Sequence, residues 1–590
     1  MTTDFLKKAA LFGATAAMLA ACSPKEKETY YEKKVDFPEN STLDEKLDMA
    51  ARVVPTPQQL AWQELGLTAF LHFGINTFTD REWGDGKEDP ALFNPTELDA
   101  EQWVKTLKDA GFNLVILTAK HHDGFCLWPT KTTDHSVASS PWKDGKGDVV
   151  ADLRAACDKY GMKMGIYLSP WDRNSQKYGD SPAYNDQFVD QLTELLTNYG
   201  KIDEVWFDGA CGEGPNGKKQ EYDWVRFREV KERLQPEAVL AITGDYVRWV
   251  GNEGGVGRET EWSVTPLTPS IFPESASRND SLGINGMSKV LGSHELIEKA
   301  NRLYWWPSEV DVSIRPGWFY HDYESPKSLN HLANIYLASV GRNSVLLLNI
   351  PPDRRGLIAD ADVERLKEFR AWVDSNFSNN LVKQSDETGM TVALEPATRL
   401  NTVLLQEDIT KGQRVEDFTI EAYTDGAWSP VAQGTTVGYK RILKFDETVA
   451  DSLRMIVNNS RRTPNLKPIE AYHIVLPTDV AAQETEFNVV NAANTTDGAT
   501  LTAIMAKPAT TAGFIYTPAQ GAAPIFKYQA QITTDGKSWS DVATTGEFSN
   551  IFNNPMPQRV AFAAPLDAMG VRLVNADGEA TGKIQILTVK

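Results

Sequence analysis

The sequence predicts an α/β chain in which a (β/α)8-like barrel is followed by two C-terminal β-sandwich domains. From about residue 55, short and nearly uninterrupted apolar runs alternate with amphipathic stretches, the pattern of a parallel sheet covered on both faces. The alternation lasts roughly 300 residues, with no GxGxxG turn after the first strand and no phosphate-binding loop, so a barrel fits better than an open nucleotide-binding sheet. After about residue 380 the helical period disappears, and short alternating segments separated by turn pairs replace it. At 590 residues the chain is too long for one core.

Strands are expected at LTAFLHFG (67–74), NLVILTA (113–119), KMGIYLS (163–169), EVWFDG (204–209), AVLAITG (238–244), SEVDVSI (308–314) and SVLLLNI (344–350). Between them lie the helical patterns AEQWVKTLKDAG, VVADLRAACDKYG, QFVDQLTELLTNYG and YDWVRFREVKERLQP, with LNHLANIYLASVG and DVERLKEFRAWVDSNF later. The first three close on Gly111, Gly161 and Gly200, the residue best suited to a left-handed C-terminal position, and Pro236 stops the fourth. The barrel is assigned to 51–378 and the sandwiches to 379–478 and 479–590. AYTDGAWSPVAQG (422–434) and ITTDGKSWSDVATTG (532–546) share a strand, Asp-Gly turn, Trp, strand layout, from duplication or from hairpin convergence.

The bulk properties narrow the partners. With 80 acidic and 60 basic side chains the net charge is −20, which disfavours nucleic acid and anionic membrane surfaces. Sixteen Trp suit carbohydrate, whose apolar C–H faces dock on indoles. Lys7-Lys8 precede an apolar segment too short for a membrane span, ending Leu19-Ala20-Ala21-Cys22, which resembles a bacterial lipobox. Residues 1–22 are then a lipoprotein signal peptide, Cys22 carries the lipid, 23–50 form a charged tether, and the protein sits lipid-anchored in the cell envelope. An ordinary cleaved signal peptide is the alternative. The other three cysteines make no disulfide framework, and there is no CxxC pair for zinc.

The chemistry gathers where the predicted strands end, the face on which barrels build active sites. Val205-Trp206-Phe207 runs abruptly into Asp208 and Gly209. A carboxylate there is costly to bury unpaired, so it is either a catalytic nucleophile or a cap on the next turn. His72 ends the first strand and His121-His122-Asp123 end the second, placing three of the chain's eight His at two neighbouring strand ends. Adjacent imidazoles diverge along a strand and converge on a metal only from a loop, whereas neutral imidazoles suit hydroxyl-rich ligands. Glu82-Trp83 offer a carboxylate and an indole, and Tyr167 to Asp172 another aromatic and a second carboxylate. Trp249 to Trp262 is dense in glycine and acids, which reads as a mobile loop with Glu253, Glu259 and Glu261 as proton-transfer candidates.

HFGINTF, TAKHHDGFCLWPTKTTDHSV, GIYLSPW and EVWFDG, in that order over about residues 55 to 360, resemble the family 29 glycoside hydrolases, the α-L-fucosidases. The resemblance implies a catalytic barrel with a C-terminal sandwich and exo-acting, retaining hydrolysis of terminal α-L-fucose without a cofactor or metal. It implies Asp208 as nucleophile, His72, His121, His122 and Glu82 with Trp83 as fucose ligands, and Tyr167, Trp206 and Trp318 as pocket lining. WVGNEGG resembles the subfamily selective for α-1,3- and α-1,4-linked fucose on branched glycans and implies Glu253 as acid/base, with Glu259 and Glu261 as alternatives. Residues from 485 onward resemble discoidin-like carbohydrate-binding modules. Fucosylated oligosaccharides or glycoconjugates are the implied partners. Two rival expectations are a glycan-capturing surface lipoprotein with an inert barrel and a metal-dependent barrel hydrolase.

Overall fold

The computed structural model describes residues 28–478, 487–552 and 555–590, the side chains of 543–545 excepted. The signal peptide and Cys22 lie outside the described residues. Eight parallel strands form the barrel: β1 Leu67–Leu71, β2 Leu114–Lys120, β3 Lys163–Leu168, β4 Glu204–Phe207, β5 Val239–Ile242, β6 Arg248–Trp249, β7 Ser308–Ser313 and β8 Ser344–Asn349. Their hydrogen-bonded order is β5-β4-β3-β2-β1-β8-β7-β6. The seam between β5 and β6 is crossed by the Val247 N–H donating to the Leu240 carbonyl at 3.3 Å. Every residue of β1 and β2 is buried, as strands covered on both faces require.

The outer layer contains helices α1 Ala100–Asp109, α2 Val149–Tyr160, α3 Ser181–Asn198, α4 Trp224–Leu234, α5 Leu329–Ser339 and α6 Asp360–Phe377. Asp99, Asp148, Asp223 and Ser328 cap α1, α2, α4 and α5 by accepting from otherwise orphaned amides of the first turn. Gly111, Gly161 and Gly200 all have positive φ, as expected of chain leaving a helix.

Two expectations fail. β6 was not foreseen: only five residues separate it from β5, with no helix between, and two residues are too short to show a period. The tether expected over 23–50 is folded from residue 28 onward. Lys34–Asp36 pairs antiparallel with Arg302–Trp305 in a three-stranded sheet, and Leu43–Ala50 is a helix with a full capping box at Thr42 and Glu45. Val35 packs with Leu303 and Trp305, so burial of a few apolar side chains outweighs the charged composition.

In the first sandwich, β9 Thr391–Leu405, β10 Val415–Thr424, β11 Ala427–Gly434, β12 Arg441–Ser460 and β13 Glu470–Tyr472 lie in the order β9-β12-β10-β11, with β13 also on β9. The terminal domain repeats this with β14 Thr500–Thr517, β15 Lys527–Thr533, β16 Ser540–Glu547, β17 Gln558–Asn575 and β18 Lys583–Val589, ordered β14-β17-β15-β16 with β18 on β14. The long strands bend at register shifts around separate apolar cores. The first sandwich is fastened to the barrel by Arg441 on Glu259 (2.9 Å) and by Arg461, whose guanidinium lies 3.5 Å from the centre of the Trp262 ring.

Candidate active site

At the C-terminal mouth of the barrel a cavity of about 1010 Å³ is lined by Asp208, Glu253, His72, His121, His122, Tyr167, Trp206, Glu82, Trp83 and Trp318. These ten residues therefore meet in one place, whereas Asp123, Asp172, Glu259 and Glu261 are absent from the lining.

Asp208 follows β4 and caps the next turn while facing the cavity. Its Oδ1 accepts from the Ala210 N–H at 2.7 Å, capping the turn, while its Oδ2 accepts from the Tyr167 hydroxyl at 3.1 Å and stands 4.0 Å from His122 Nε2. The cap fixes the carboxylate and leaves one oxygen on the cavity side, with the side chain 25% exposed. Tyr167 stacks on Trp206 at 5.1 Å, and burial, then the Asp208 charge, hold its phenol well above the ordinary value.

The imidazole tautomers follow from their partners. Asn349, ending β8, donates its amide to Ser313 Oγ (2.9 Å) and the Trp318 carbonyl (2.8 Å), so its Oδ1 faces His72 Nδ1 at 2.9 Å as an acceptor. His72 therefore carries its proton on Nδ1 and offers Nε2 as an acceptor. Ser169 uses its hydroxyl proton on the Trp171 carbonyl (2.7 Å), so at 2.7 Å it accepts from His122 Nδ1–H, again leaving Nε2 as the acceptor. His121 lies 4.1 Å from His122 between ring centres, and its buried Nδ1 meets no hydrogen-bond partner among the described residues. Burial lowers all three pKa values, His72 to about 4, so the cluster is uncharged near neutrality. Asp123 is 4.0 Å from His121, too far for a hydrogen bond, and accepts from Phe125 N (2.7 Å) and Asn76 Nδ2 (3.1 Å).

Glu82 and Trp83 point to different neighbours. Glu82 accepts from Trp318 N (2.8 Å), Phe319 N (3.1 Å) and His321 Nε2 (2.9 Å), which occupies most of a carboxylate's acceptor sites. Trp83, 52% exposed, sets its ring edge-on to His122 and Trp171. Burial lowers the His321 pKa, but its hydrogen bonds to Asp80 and Glu82 outweigh that and raise it to about 10, so it is an imidazolium. Asp172, the second carboxylate of the third strand end, is buried against Lys120 at 3.1 Å and serves structure rather than the cavity.

Of the three glutamates after β6, only Glu253 lines the cavity, accepting from the Trp318 indole N–H at 3.1 Å. Glu261 is buried between Arg248 and Arg258, and Glu259 pairs with Arg342 and Arg441 at the first sandwich. Two glycines of this segment sit where a side chain would not fit. A Cβ on Gly251 would stand 2.5 Å from the Gly286 carbonyl, and one on Gly255 2.9 Å from Ile335, so these glycines permit close packing.

Sequence reasoning missed four contributions. His321 belongs to a loop and acquires meaning only on meeting Asp80 and Glu82. Asn349 and Asp311 look like ordinary strand residues, although Glu309 and Asp311, two apart, fall on one face of β7. Burial, then the Glu253 charge, push Asp311 well above the carboxylate range, and Trp249 Nε1 donates to its Oδ1 at 2.8 Å. The fourth is a wall from the terminal domain, including Phe526, Ser549 and Phe552. Among the described residues no group of three or more His, Cys, Asp or Glu is placed to hold a metal ion.

The chain is similar to several known proteins. A family model described as Alpha-L-fucosidase matches residues 56–378, and one described as F5/8 type C domain matches 480–587. Alpha-L-fucosidase 1 of Arabidopsis thaliana is 42% identical over 462 residues, 71% of this chain and 87% of the relative. The crystal structure of a putative alpha-L-fucosidase from Bacteroides ovatus is 56% identical, with a TM-score of 0.77, covering 95% of this chain and 100% of that one. A Ruminococcus gnavus GH29 fucosidase in complex with fucose is 30% identical, with a TM-score of 0.62, over 72% of this chain and 95% of its own.

Proposed function

The chain belongs to the α-L-fucosidase family, glycoside hydrolase family 29, and from that premise we propose that it removes terminal α-1,3- or α-1,4-linked L-fucose from branched, Lewis-type glycans with retention. Asp208 attacks the anomeric carbon as the glycosidic C–O bond breaks, and Glu253 gives its proton to the leaving oxygen. Water then attacks the same carbon, returns a proton to Glu253 and releases Asp208. Retention by this route calls for carboxyl groups about 5–5.5 Å apart. The acceptor nitrogens of His72 and His122 take fucose hydroxyl protons, and Trp206, Trp318 and Tyr167 enclose the ring.

The observation that carries this reading is the meeting of Asp208 and Glu253, from separate elements, in one cavity with three uncharged imidazoles. A glycan-binding barrel without catalysis has no use for two acids placed so. The test is Asp208→Ala: hydrolysis should fall by several orders of magnitude, and azide should restore turnover of an activated fucoside while giving the inverted fucosyl azide. Substantial activity without azide sinks the assignment. The lipid anchor at Cys22 is part of the same proposal, and a Cys22→Ala chain that still partitions with membranes would remove it.

A further inference from the structure

The terminal domain stands in the wall of the active-site cavity as well as beside the barrel. Ser549 packs against Gly317, where a Cβ would come within 3.1 Å of its own, and Tyr323 lines the same cavity. Gly317 and Tyr323 flank Trp318 and His321, the residues tied to Glu253 and Glu82. The cavity therefore continues from Asp208 onto Phe526, which immediately precedes β15, and onto Phe548 to Phe552. Its 1010 Å³ lies at the upper end of the roughly 300–1,000 Å³ of small-ligand sites, far more than one deoxyhexose fills.

The outer part has the character of a sugar platform. The rings of Phe526 and Phe552 lie 5.2 Å apart at 47°, and Phe552 is 59% exposed although it borders a cavity. Phe526 packs against the domain's core, in which Tyr528 and Phe548 stack at 4.4 Å and are buried, and this gives it a fixed base. An aromatic on such a base offers a flat apolar face to a pyranose ring at low entropic cost.

We propose that Phe526 and Phe552 form the subsite for the neutral sugar to which fucose is attached, so that the terminal domain selects the leaving group. This rests on the catalytic reading above. In the full-length chain, Phe552→Ala and Phe526→Ala should lower the ratio of kcat/KM for a Lewis-type trisaccharide to that for α-L-fucosyl fluoride, which carries no leaving-group sugar. The expected fall is about three- to tenfold, the scale of one lost aromatic contact, and Phe552→Tyr should restore the ratio. In the Asp208→Asn chain, calorimetry should show the same contrast as weaker trisaccharide binding relative to free L-fucose. That arm needs no turnover, so it still tests the subsite should the catalytic assignment fail. An unchanged ratio in both alanine variants, with unchanged trisaccharide binding, overturns the proposal.

Discussion

The cavity has two walls built on different terms. On the barrel side nearly every polar group is held by a fixed neighbour: His72 by Asn349, His122 by Ser169, Asp208 by Ala210 and Tyr167, and Glu82 by three donors. On the terminal-domain side the contribution is an aromatic face of which Phe552 is exposed and Phe526 half-buried. Fixed dipoles belong where charge develops during bond cleavage, because they need not reorganise as it appears. Exposed rings suit the part of the substrate that varies. One fold supplies the reaction and another, carried on a separate core, supplies the discrimination.

That division can be broken at several points, of decreasing consequence. Glu253→Gln should lower turnover of natural glycans about 10³-fold while sparing aryl fucosides with good leaving groups, the range expected of a lost general acid; equal loss on both would move the acid elsewhere. Asn349→Asp places a negative charge against His72 Nδ1–H and should raise the imidazole pKa from about 4 toward neutrality. The protonated ring has no acceptor on Nε2, so KM should climb several-fold between pH 7 and 5 in the variant and stay level in the parent.

His321 tests how the barrel wall is fastened. Its folded pKa of about 10 exceeds the unfolded value near 6.5, so its stabilisation is complete below pH 6.5 and disappears as pH rises through 10. His321→Asn should therefore lower Tm by several degrees at pH 6, and the difference from the parent should close by pH 10, as read by calorimetry. Glu259→Gln should change least. Its carboxylate is 63% exposed and lies at the sandwich junction, so stability should shift by about 1 kcal/mol or less. Its kcat on aryl fucosides should match the parent, and a large loss would reopen the assignment of Glu253.

Much of the barrel was legible because a strand buried on both faces and a helix buried on one leave different periods in the sequence. Asp208 and the three imidazoles stood out because polar residues interrupt those periods where strands end. What stayed hidden depends on distant meetings. Asn349 shows its purpose only beside His72, and Glu82 turns to a loop some 236 residues away. Glycines at Gly251 and Gly255 looked like looseness, since sequence does not reveal what presses against them. The layout shared by the two sandwiches has a counterpart in space: Trp428 stacks on Arg454 across the intervening β10, and Trp539, just before β16, on Arg572 across the intervening β15, at 4.4 and 4.0 Å. Their turns differ, however. Asp425 and Gly426, both at positive φ, make a two-residue hairpin, whereas six residues separate β15 from β16. No pattern within either domain indicated that only the second would reach the barrel's mouth.

The strand at Lys34–Asp36 also sets a length. A tail running loose to residue 50 would give an anchored enzyme a radius of about 95 Å from the bilayer, at roughly 3.4 Å per extended residue. With Glu28 already held by Arg462 at 2.7 Å, only six steps of chain separate the folded body from Cys22. If lipid is attached there, that attachment point lies within about 20 Å of the membrane whatever path the intervening residues take. The folded body would then be held close against the bilayer instead of ranging over a wide radius from it.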